Sequence, residues 1–138
     1  MLLYAIPGVV VASDLCLRIE KLTGPPNGWA SIEDERPLPA ANSCAVSQEL
    51  SGAKIYQCIW SRAYRAVDAR SVFDDLVRKV KDCLGDAAQG TRDQPVNHPD
   101  SYELLEFQSQ GRRVAVSLKD KAALNQTLVF LRIYSRLD

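Results

Sequence analysis

Four cysteines, at positions 16, 44, 58 and 83, constrain what this chain can fold into more than any other feature. Their number is even, and the spacings of 28, 14 and 25 residues are unlike the paired C-x-x-C runs that ligate structural zinc. His98 is the only histidine, so the set reads as two disulfides and no metal centre is assigned. Each bridge in a small domain stabilises it by about 2–4 kcal/mol. Bridges also belong to an oxidising compartment, which makes the expected location periplasmic or secreted.

Local patterning suggests a pairing. In AKIYQCIW, strand alternation puts Tyr56, Cys58 and Trp60 on one face and Ile55, Gln57 and Ile59 on the other. Downstream, Val72, Phe73, Leu76, Val77, Val80, Cys83 and Leu84 recur at helical spacing, so Cys83 joins a buried stripe. A helix packed back over the sheet would bring Cys58 to Cys83, and elimination then leaves Cys16 with Cys44. The competing reading is four reduced, buried thiols acting as small hydrophobes.

The opening MLLYAIPGVVVA carries no charge. It falls short of the roughly 20 residues of a membrane-spanning helix, and no stable membrane insertion is expected. Residues 1–12 read either as the remnant of a signal peptide, with Val10 and Ala12 as the small residues before the cleavage point, or as a first core strand. Residues 13–138 are expected to form a single α+β domain.

Within it, SDLCLRIEKLTG predicts a short N-terminal helix: Ser13 and Asp14 can cap it, Leu15, Ile19 and Leu22 share a face, and Gly24 with two prolines ends it. The run from Gly24 to Asn42 is rich in proline and acid and reads as a loop. Ser43–Leu50 and Lys54–Trp60 read as a hairpin closed by Ser51–Ala53. The main helix spans roughly Ala69–Leu84, capped by Asp68 or Ser71 and stopped by Gly85. DAAQGTRDQPVNHPD is a polar loop, and SYELLEF, RRVAVSL and TLVFLRIY follow as strands, the last apolar on both faces and therefore central. The expectation is an α+β fold: an antiparallel sheet of about five strands in the order β-β-α-β-β-β, with one main helix on one face.

Seventeen basic and seventeen acidic residues cancel. The neutral chain has no global footprint for nucleic acid or an anionic membrane. Glycine-rich phosphate loops, GxSxG, HExxH and EF-hand loops are absent from the sequence, and no cofactor is assigned. His98 with Asp100 nearby has the elements of a general base, though no motif nominates a nucleophile. Arg62, Arg65 and Arg70, interleaved with Tyr64, can bind an acidic partner or pair with Asp68, Asp74 and Asp75. Arg112, Arg113, Lys119 and Lys121 extend this basic strip if their strand lies beside it. Trp29 and Ile32, next to Glu33, Asp34 and Glu35, are candidate anchors for a partner with a basic cleft, or pins that hold the loop to its own sheet. These features describe a small secreted or periplasmic binding protein, of inhibitor, immunity or envelope-assembly type, that acts on another protein through surface contacts. The alternative is a small hydrolase or lyase using His98 and Asp100. The sequence assigns no oligomeric state.

Overall fold

The computed structural model describes residues 14–24, 26–30, 32, 36–85, 89–92 and 100–136. Residues 1–12, the acidic run 33–35 and His98, to which the sequence reading gave roles, lie outside them.

Helix α1 (Asp14–Thr23) buries Leu15, Ile19 and Leu22, the face set by the four-then-three spacing. A 3-10 turn at Pro26–Trp29 folds back along it. Gly28 permits this approach, since a Cβ there would lie 2.2 Å from the Lys21 carbonyl oxygen. The Trp29 indole N–H then donates to the Leu22 carbonyl at 2.8 Å, one of the carbonyls that a helix end leaves without an internal partner.

Strands β1 (Ser43–Gln48) and β2 (Lys54–Ala63) form the first hairpin. Its turn closes with Glu49 N–H donating to the Ala53 carbonyl at 2.8 Å, and Gly52 takes the left-handed conformation that the turn requires, φ 92°. Helix α2 (Val67–Leu84) follows and buries Ala69, Phe73, Leu76, Val80 and Leu84. It starts two residues before the expected Ala69, and neither expected cap holds, since the N-cap lies two residues before Asp68 and five before Ser71. Ala66 occupies the N-cap with no side-chain bond, and the Ser71 hydroxyl donates to the Val67 carbonyl from inside the first turns. Gly85 closes the helix as expected, with its N–H on the Lys81 carbonyl.

Beyond α2 come β3 (Gln89–Arg92), β4 (Tyr102–Ser109), β5 (Arg112–Lys121), a 3-10 turn at Ala122–Leu124 and β6 (Gln126–Tyr134). The sheet runs β1-β2-β6-β5-β4-β3 and every neighbouring pair is antiparallel. The five expected strands are present, β6 lies inside the sheet as its two-sided apolar pattern required, and the α+β class holds. The sixth strand, β3, falls within the stretch read as a polar loop. Its sequence, QGTR, has no apolar alternation; it is placed by backbone pairing to the free edge of β4.

Cross-strand register sorts the side chains into rows. Tyr56, Ile133, Val114 and Phe107 make one row, Cys58, Leu131, Val116 and Leu105 the next, and Trp60, Val129, Leu118 and Glu103 a third. Against these rows pack α2 and α1, joining one hydrophobic core.

All four cysteines are bridged, but the pairing is Cys16–Cys83 and Cys44–Cys58. This corrects the expected Cys58–Cys83 and Cys16–Cys44. Register explains the second bridge: Cys44 stands directly opposite Cys58, with Cα atoms 4.1 Å apart, the close approach of a non-hydrogen-bonded antiparallel pair. Cys58 does face the helices as alternation required. Its neighbour on β1 reaches it first, and Cys83 meets α1, which lies against α2.

Candidate functional site

Hairpin geometry carries the Arg62–Arg70 connection over the end of the sheet where β5 and β6 meet. Thr127 pairs with both Arg62 and Asp120 in register. The Asp120 side chain is only 8% exposed. It accepts from the Thr127 hydroxyl at 2.7 Å, from the Ser101 hydroxyl and from Arg65 Nε at 3.3 Å. Burial pushes this carboxyl up, but the Ser101 and Thr127 hydroxyls and the Arg65 guanidinium outweigh it and hold Asp120 below the ordinary carboxylate range. Arg65 is itself fixed by its backbone, left-handed at φ 54°, with its N–H on Thr127 Oγ1 at 2.7 Å.

One row further in, Glu103 is nearly buried and receives Arg70 at 2.7 Å from α2. Arg62 reaches Asp68 at 3.3 Å. Each of the three arginines singled out in the sequence therefore has a carboxylate of its own. Two of those acids, Asp120 and Glu103, come from strands far along the chain, where local sequence gives no sign of them. The cluster pins the start of α2 to the sheet.

Trp29 and Ile32 are buried, at 6% and 2% exposure, and both belong to the main core. Their side chains pin the loop and do not stand at the surface. Asp100 accepts the Ala122 N–H at 3.0 Å and so steadies the turn after β5.

The opposite face of the sheet differs from the helix-packed one. Ile55, Gln57, Ile59 and Ser61 of β2, Leu128, Phe130, Arg132 and Tyr134 of β6, and Arg113, Ala115, Ser117 and Lys119 of β5 alternate onto it. β4 adds Tyr102, Leu104 and Glu106. None of these belongs to the helix-packed core. The small Ala115 and Ser117 of β5 are buried between the larger side chains of β4 and β6. Cations lie over rings throughout: Lys119 is 5.1 Å from the Phe130 centroid and 5.3 Å from Tyr102, Arg132 is 5.8 Å from Phe130, and Arg113 is 4.1 Å from Tyr134. Arg113 also holds Glu106 at 2.7 Å, and that bond raises its pKa. At the hairpin end, Arg113, Tyr134 and Glu49 line a cleft of about 530 Å³.

Of the expected basic strip, Arg113, Lys119 and Lys121 share one face through their even spacing on β5, whereas Arg112 alternates onto the other. That face points away from the carboxylates that hold Arg65 and Arg70, so the strip does not join their cluster. Arg132 completes it instead. Its signal in the sequence was the lone cation interrupting LVFLRI.

Among the described residues, no helix is long and apolar enough to cross a membrane, and no three metal-ligating side chains gather. Compared with protein-family models, curated proteins and solved structures, the chain matches none.

Proposed function

We propose that this chain is a small disulfide-stabilised binding protein of the periplasm or cell exterior, and that it engages another protein through the open face of its sheet. Residues 13–138 act as one unit in this reading. The observation that carries it is the composition of that face. A sheet surface meant only for water alternates to polar residues, whereas this one carries Ile59 beside the largely covered Phe130, Leu128 in the next row and Leu104 across the small Ser117. Contiguous apolar surface rimmed by polar groups is what a protein interface looks like from one side. Two bridges fit an exported protein, and they give the face a rigid backing, which lowers the ordering cost of binding.

The hydrolase or lyase reading draws no support from Asp100, whose carboxylate is engaged by a backbone N–H.

A photo-crosslinking residue placed at Gln57 or Leu128, on the open face, should give a discrete protein adduct in the exported protein. The same residue at Asp74, on the exposed side of α2, should give none. Equal adducts from both positions, or none from the open face, would overturn the proposal.

A further inference from the structure

Resting on that reading, we infer that the open face recognises an acidic, amphipathic protein segment, with carboxylates held by Lys119, Lys121 and Arg132 and apolar side chains seated on Ile59, Leu128 and Leu104. Charge complementarity is the first argument. The chain as a whole is neutral, yet the strand residues alternating onto this face include Arg113, Lys119, Lys121 and Arg132 against Glu106. Glu106 is taken by Arg113. Among the described residues neither Lys119 nor Lys121 has a carboxylate partner, and Arg132 donates to the neutral Gln57 at 2.6 Å.

The cations of this face also repel one another. Burial, followed by the charges of Arg132 and Lys121, lowers the pKa of Lys119. These three cations are held near one another with no carboxylate paired to them among the described residues, so an arriving carboxylate relieves a repulsion as well as forming a pair.

Ring geometry separates a protein from a polynucleotide. Stacking of bases needs an aromatic face open to the ligand. Here Phe130 is only 9% exposed and lies beneath Lys119 and Arg132. Tyr102 lies beneath Lys119, and Tyr134 beneath Arg113. The rings are already covered by cations, whose outer sides remain for carboxylates. The apolar remainder of the surface, Ile59, Leu128 and Leu104, calls for aliphatic side chains, which neither a polynucleotide nor a sulfated glycan carries.

Spacing narrows the ligand further. Lys119 and Lys121 stand two residues apart on β5, about 7 Å. Arg132 pairs with Ala115 on the adjacent strand, four residues along from Lys119, and both side chains lean over Phe130, so their charges lie closer together than their backbones. An extended segment with carboxylates at positions i, i+2 and i+6 turns all three to this face together with a Val or Leu at i+4, while i+1, i+3 and i+5 point away.

The probe is a fluorescent peptide with Glu at i, i+2 and i+6 among Val and Leu, compared with its Lys counterpart, oligo(dT) and heparin in anisotropy titrations on the oxidised protein. The Glu peptide should bind at least tenfold tighter than the Lys peptide at low salt, and 1 M salt should erase the preference. Lys119→Glu/Arg132→Glu should weaken it at least tenfold and Lys119→Gln/Arg132→Gln less, with urea midpoints near wild type confirming that both variants fold. Tighter binding of oligo(dT) or heparin, or indifference to charge reversal, would overturn the inference. If the open-face crosslink described above survives charge reversal, the binding-protein reading stands and only the acidic partner falls. If no face-specific crosslink forms, the reading itself falls.

Discussion

Cys16 of α1 is bridged to Cys83 of α2 across 67 residues of sequence, whereas Cys44 and Cys58 close a hairpin of 14. In the chain-entropy account the longer loop contributes about 4.4 kcal/mol and the shorter about 3 kcal/mol. The long bridge also ties the helix layer together, and the short one repeats a pairing that the β1–β2 ladder already makes.

Cys16→Ala/Cys83→Ala is therefore expected to lower oxidised stability by about 2–5 kcal/mol, more than Cys44→Ala/Cys58→Ala. Urea midpoints with and without reductant check this. Under reductant both differences should shrink to the packing cost alone, largest at the fully buried Cys58. A penalty that does not depend on redox state would show that the bridges do not form in solution.

Trp29 supports a second prediction, because its packing and its hydrogen bond can be separated. Trp29→Phe keeps most of the ring volume and removes the N–H held by Leu22, for an expected loss of about 1–2 kcal/mol. Trp29→Ala should lose about 3–5 kcal/mol. Gly28→Ala should cost about 1–3 kcal/mol through overpacking, since its Cβ would collide with the Lys21 carbonyl. None of the three should change crosslinking from the open face. A stable Trp29→Ala variant defective in binding would instead make Trp29 a contact residue.

The hairpin shows where sequence reading stops. Alternation placed Cys58 correctly on the helix-packed face, because a period of two is a local property. Its partner depends on which three residues form the turn. A turn at Ser51–Ala53 sets Val46 opposite Cys58, whereas the observed closure at Glu49 and Ala53 slides the register and brings in Cys44. Helix α2 was legible from its stripe and from Gly85, and α1 from three spaced aliphatics. The partners of Arg65 and Arg70 were not, since Asp120 and Glu103 arrive through pairings more than thirty residues away in sequence. The open face was half legible. The β5 cations declared their common side by spacing, but only the β5–β6 register puts Arg132 among them.

Asp75 provides a control for electrostatic predictions. It pairs with Lys79 at 2.8 Å and with Arg78, one helical turn along an exposed face. The Lys79 hydrogen bond outweighs slight burial and lowers its pKa. Exposed pairs of this kind are worth about 0.3–0.5 kcal/mol. Asp75→Asn should therefore change stability by no more than about 0.5 kcal/mol, and moderate salt should remove the effect. A loss several times larger in thermal melts would mean that the α2 surface is covered in solution.

Asp120 should behave differently, although its pKa is shifted in the same direction. Its carboxylate is buried and gathers Thr127, Ser101 and Arg65 at one end of the sheet. Removing the charge leaves Arg65 without its carboxylate and weakens both hydroxyl bonds, so Asp120→Asn is expected to cost about 1–3 kcal/mol at pH 7. The pH dependence follows from linkage. A carboxyl depressed in the folded state binds fewer protons there than in the unfolded chain, so its contribution is fully present above the unfolded value of about 3.9. It is lost as pH falls through the folded value below that. The gap in urea midpoint between wild type and Asp120→Asn should thus be constant from pH 7 to about pH 5 and close progressively below pH 4. A gap that persists unchanged at pH 2 would assign the loss to altered packing of the amide rather than to the carboxylate and its three donors.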